Sequence, residues 1–106
     1  MADIISTVLD GIQHIETCWA MPPSLPYAVY HDRVTRRGAD LYNGITEHNI
    51  TIELYAQKPA EDLEALIEQR LDALGLEYVR EERMWIDTEH FFMTVYDFAY
   101  TEKGFA

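Results

Sequence analysis

One stretch, residues 49–75, constrains the fold more than any other because its hydrophobic period changes partway. Asn49-Ile50-Thr51-Ile52-Glu53-Leu54-Tyr55 alternates apolar and polar residues. Strand side chains point to opposite faces in turn, so Ile50, Ile52 and Leu54 share a buried face. After Pro59 the spacing becomes helical: Leu63, Leu66, Ile67, Leu71 and Leu74 form one apolar stripe. Glu61, Asp62, Glu64, Glu68 and Asp72 are expected on the wet side. Gly75 supplies the left-handed residue that ends many helices, with Leu76 folding back on the last turn. A strand followed by a helix is therefore expected at the centre of the fold.

The flanking segments read as further short elements. Ile4, Ile5, Val8, Leu9 and Ile12 recur at helical spacing, which predicts a helix over residues 2–10. Residues 13–19 read as a first strand. Three prolines in residues 22–26 remove backbone donors and fix φ, which predicts an extended link. Tyr27-Ala28-Val29-Tyr30-His31 is a second strand, rich in β formers. Residues 32–44 are polar and turn-prone and read as a long β2–β3 loop. Residues 77–86 form one mixed strand, 87–89 a turn, 90–100 a strongly aromatic last strand, and 101–106 a loose tail. The order is α-β-β-β-α-β-β. It predicts one α+β domain over residues 1–106, with a mainly antiparallel sheet and both helices on one face.

Charge narrows the function classes. The 106 residues carry a formal charge of −11, with 19 acidic against 8 basic side chains. Phosphate contacts need clustered Lys and Arg, so a DNA-binding surface of the ordinary basic kind is not expected. Cys18 is the only cysteine, which excludes an intramolecular disulfide, and a buried or inert thiol is expected. Residues 1–5 lack the basic start of a signal peptide, and no apolar run approaches the roughly 20 residues that span a bilayer. Synthesis and use in the cytoplasm, or in something assembled there, without membrane contact, are expected.

Catalytic chemistry has no foothold in the residue pattern. The adjacent pairs His31–Asp32 and Glu89–His90 point to opposite strand faces, and no spacing matches a zinc or iron site. Cys18 has no nucleophile signature around it, and there is no glycine-rich phosphate loop. No enzyme activity, metal or cofactor is expected.

Two features point to association instead. Arg33, Arg36 and Arg37 place three of the eight basic residues within five positions, next to the apolar Leu41 and Tyr42. In so acidic a chain, such a cluster suits contact with an acidic neighbour and would set the register of association. On the last strand Phe92, Tyr96, Phe98 and Tyr100 share one face, while Phe91, Met93, Val95 and Ala99 share the other. Two helices seldom cover both faces of a sheet, so the Phe92, Tyr96, Phe98 and Tyr100 face is expected to meet another subunit.

The chain also resembles a known family. Pro26-Tyr27-Ala28-Val29-Tyr30 leads to the strand at 49–55, the helix ending at Gly75, Trp85-Ile86, and the closing Thr94-Val95-Tyr96-Asp97-Phe98. In order and spacing these pieces are similar to the tail-completion proteins of long-tailed phages, also called tail terminators or minor neck proteins. The resemblance spans about residues 4–100 and rests on structural residues. It implies a virion structural protein, assembled in the host cytoplasm, that forms a ring, usually a hexamer. Such a ring caps the head-proximal end of the tail tube and joins it to the head connector. The implied partners are copies of the chain, the major tail tube protein and the head connector or stopper. Six copies would carry about −66 formal charges, six times −11. That charge would let DNA slide through the lumen without sticking. A small acidic inhibitor that mimics DNA, or a host α+β interaction module, shares the size and the charge.

Overall fold

Ile50, Ile52 and Leu54 are almost fully buried, as the alternating pattern requires. They sit on β3, Ile45–Ala56, the middle of a sheet that organises every other element. The computed structural model describes residues 4–38 and 44–103. Its elements are α1 (Ile4–Val8), β1 (His14–Glu16), β2 (Tyr27–Arg37), β3, α2 (Glu61–Ala73), β4 (Tyr78–Arg80), β5 (Met84–Ile86) and β6 (Phe91–Lys103). The sheet order is β1-β2-β3-β6-β4, with β5 also pairing β6. All pairs are antiparallel except β1 with β2. The chain is an α+β domain in the expected order, with one difference. The strand expected over 77–86 is two short strands, laid one after the other along the same edge of β6.

Both helices cover one face of the sheet. Ile5, Val8 and Leu9 from the α1 region and Ile67 and Leu71 from α2 form one cluster with Ile50, Ile52, Leu54, Tyr96 and Phe98. The sheet register explains this membership. Ile50 faces Phe98, Ile52 faces Tyr96, and Ala28 faces Leu54, so the even-numbered residues of β2, β3 and β6 lie beneath the helices. Helix α2 ends as its sequence dictates. Gly75 has φ +72°, its N–H donates to the Asp72 carbonyl, and the Leu76 N–H donates to the Leu71 carbonyl. These two bonds make a Schellman motif, and Leu76 packs on the core.

The outer parts differ from the sequence reading. Residues 32–37, expected as loop, continue β2, and each pairs with a residue of β3 from Ile50 back to Ile45. Thr101, Glu102 and Lys103, expected as tail, continue β6. Their regular structure comes from cross-strand partners and not from an apolar alternation of their own. Strand β1 is shorter than expected and stops before Thr17, whose φ is +74°. Three strands thus run past the helices as an arm. The radius of gyration, 15.3 Å, exceeds the roughly 13 Å of a compact chain this size, and the longest dimension is 50 Å.

Candidate functional site

The arm is the part of the molecule least occupied by its own core. Arg33 and Arg37 project from the uncovered face of the sheet and Arg36 from the helix side, by the register of β2 on β3. The cluster seen in the sequence is therefore divided between two faces of one strand. Arg37 Nη2 lies 3.5 Å from Glu47 Oε2, while Arg33 and Arg36 have no ion pair among the described residues. Leu41 and Tyr42, expected to share this surface, lie outside the described residues.

The arm is pinned on its helix side by His48 of β3. Its imidazole stacks on Tyr100 of β6, with centroids 4.6 Å apart and planes at 8°. Nδ1 lies 2.8 Å from Asp32 Oδ2 on β2, and Nε2 lies 2.6 Å from Glu102 Oε1 on β6. One ring therefore links three strands. The sequence showed His48 as isolated; its partners are 16 and 54 residues away, beyond any local pattern.

The aromatic strand corrects the expected subunit interface. Tyr96 is fully buried and Phe98 nearly so, both within the chain's own core beneath α1 and α2. Phe92 and Tyr100 are half-buried on the same side. The two helices occupy this face at Tyr96 and Phe98, so those two rings are not left for a neighbour. The opposite face is the uncovered one. At its inner end Trp19, Tyr27, Tyr55 and Phe91 form a chain of ring contacts, with successive centroids 6.1, 5.4 and 4.8 Å apart. Met93 and Val95 are half-buried beside them, and Met84 is exposed. Further along, His31, Arg33, Asn49, Thr51 and Asp97 line a shallow trough of about 540 Å³. His31 Nε2 lies 3.5 Å from Glu53, and the Thr51 hydroxyl donates to Asp97 at 3.0 Å.

A second polar group joins α2 to the β4–β5 edge. Glu64, expected on the wet side of α2, is only 2% exposed. Its carboxylate accepts bonds from Arg83 Nε at 2.9 Å, Arg83 Nη2 at 2.6 Å and the Thr94 hydroxyl at 2.6 Å. Arg80 stands 3.7 Å away and is bonded to Glu68 at 3.0 Å. Burial pushes the Glu64 carboxyl up, but the bonds from Arg83 and Thr94 and the charges of Arg83 and Arg80 outweigh it. The net direction is down from the ordinary carboxylate value. The Tyr96 hydroxyl donates to Glu68 at 2.8 Å, and burial first, then that bond, raise its pKa. Every member of this network is satisfied within the chain, so it holds β4 and β5 against the helix.

Of the two alternatives expected for Cys18, buried or inert, the first does not hold: the thiol is exposed. Among the described residues, no group of three or more His, Cys, Asp or Glu side chains could hold a metal ion. No helix among them is long and apolar enough to cross a membrane. Compared with known proteins, the chain matches no family model and no curated protein.

Proposed function

We propose that this chain is a structural, non-enzymatic protein of the neck of a long-tailed phage. It forms a ring that caps the head-proximal end of the tail tube and joins it to the head connector. The reading takes its direction from the order and spacing of residues 26–30, 49–55, 63–75 and 94–98. One structural observation carries it furthest: a three-stranded arm leaves the helix-covered core, and β2 past its pairing with β1 has no strand along its outer edge among the described residues. A monomer gains little from such an arm. A protein that works by fitting between two larger assemblies needs surfaces of this kind, since unpaired strand edges and half-covered apolar faces are where chains add to one another. The uncovered face around Tyr55, Phe91 and Met84 would meet the tube or the connector. Ring copies would present their acidic surfaces to passing DNA.

The test is completion of tails. Purified protein is added to tail tubes assembled without their completing protein, followed by DNA-filled heads. Infectious particles, together with rings seen in negative stain, are the expected result. Failure to restore infectivity would overturn the neck assignment. A compact dimer that inhibits a DNA-processing enzyme would put the DNA-mimic reading in its place.

A further inference from the structure

We infer that copies of this chain join by strand addition, the outer edge of β2 in one copy pairing antiparallel with the outer edge of β4 in the next. This deepens the ring reading above and rests on it for the head-to-tail sense of the contact.

Backbone direction identifies the free groups. The Ala28 N–H bonds to the Gln13 carbonyl, and the Tyr30 carbonyl accepts from the Thr17 N–H, so even residues of β2 face outward, toward β1. β1 ends at Tyr30 in this pairing. By strand alternation Asp32, Val34 and Arg36 then direct their N–H and C=O groups outward, with no strand beside them among the described residues. At the other side of the sheet, the Glu81 N–H donates to the Val95 carbonyl of β6. Odd residues of β4 therefore face inward, and Tyr78 and Arg80 offer their backbone groups to the outside. β4 is the last strand on its side of the sheet.

Topology then sets the pairing sense. β2 is antiparallel to β3, β3 to β6 and β6 to β4, so β2 and β4 run in opposite directions. A second copy placed edge to edge in the same orientation brings β4 antiparallel to β2, with the uncovered faces continuous. Hydrogen-bonded pairs must join outward-facing residues, such as Val34 with Arg80 and Arg36 with Tyr78. That register places Thr35 opposite Val79, Arg33 opposite Glu81 and Arg37 opposite Glu77, all on the uncovered face. Both ionic pairs have opposite signs, which favours the contact. Asp32, already bound to His48, faces Glu82 at the far end.

The same charges weigh against a symmetric pairing centred on Thr35. An antiparallel β2–β2 contact in that register would set Arg33 opposite Arg37, and like charges directly opposite are destabilising. The β4 edge also carries crowded negative charge. A hydrogen bond and repulsion from Asp97 raise the Glu81 carboxyl above its ordinary value, and an arriving guanidinium relieves that crowding. Val79 is 62% exposed in the single chain and would be covered by the junction.

Cysteine pairing tests the register. Cys18→Ser, Thr35→Cys and Val79→Cys are combined in one chain. Opposed residues at a non-hydrogen-bonded site lie about 4.5 Å apart at Cα, within disulfide range. Mild oxidation is expected to give a ladder of linked chains at least tenfold more abundant than with either new cysteine alone. Reversing charge by Arg33→Glu and Arg37→Glu should abolish the ladder, and adding Glu77→Arg and Glu81→Arg should restore it. No ladder, or one indifferent to both reversals, overturns strand addition. If tails are nevertheless completed, the neck reading survives that failure. A charge-dependent ladder from a protein that completes no tails supports the pairing and removes the neck reading.

Discussion

Removing the carboxylate of Glu64 would leave Arg83 partly enclosed without its counter-charge. The pair is bidentate, at 2.9 and 2.6 Å, and the carboxylate side chain is 3% exposed. An exposed ion pair contributes about 0.2–1 kcal/mol, whereas breaking a buried one costs about 3–5 kcal/mol. Arg83 is 29% exposed, which screens its half of the interaction, so the lower end applies. Glu64→Ala is expected to destabilise by about 3 kcal/mol. Arg83→Ala should cost less, about 2 kcal/mol, because Thr94 and Arg80 still serve the carboxylate. A double-mutant cycle followed by urea unfolding should return a coupling of about 1.5–2 kcal/mol. The sign of the pH dependence follows from the lowered pKa of Glu64. Its stabilisation is fully present above the unfolded carboxylate value, about 4.3, and is lost as pH falls through the lower folded value. A coupling below about 0.5 kcal/mol at neutral pH would place the pair among ordinary surface contacts and refute the argument.

Leu71→Ala, at a fully buried position of α2, should cost about 3–4 kcal/mol in urea unfolding, from lost transfer energy and the cavity left behind. Gly75→Ala should cost about 1 kcal/mol by thermal unfolding, solely from φ +72°, because a Cβ there meets no atom within 4 Å. His48→Ala should speed amide exchange about tenfold at residues 46–49 and 100–102 while leaving Ile52 and Tyr96 unchanged, since it removes the ring joining three strands of the arm. Equal acceleration throughout the sheet would mean that the arm is not an independently opening unit.

The switch from period 2 to period 3.6 made β3, α2 and the Gly75 stop legible, because those residues are governed by burial and by one left-handed φ. The arm was not legible. Residues 32–37 carry charges on both faces, and what makes them a strand is the ladder to β3, a partner that a local pattern does not reveal. Glu64 could have been found. Ala60, Glu64, Ile67 and Leu71 recur at spacings of 4, 3 and 4, which puts the carboxylate on the buried stripe. Its charge argued for the opposite side, and the resolving partner, Arg83, is 19 residues away. For the aromatic strand, alternation separated its two faces correctly but gave no sign of which one the helices would claim. The arginine cluster stood out by composition, while the unpaired edge beneath it emerged only from the sheet.

β6 pairs with β3 along one side and with β4 and β5 along the other, and it follows all three in the chain. During synthesis every partner strand must wait for it. A nascent chain that has not yet reached Tyr96 holds β3 as an unfinished border, with Ile50, Ile52 and Leu54 lacking the Tyr96 and Phe98 rings beside them. The last steps of folding are therefore long-range closures, which are slow and pass through sticky, half-built states.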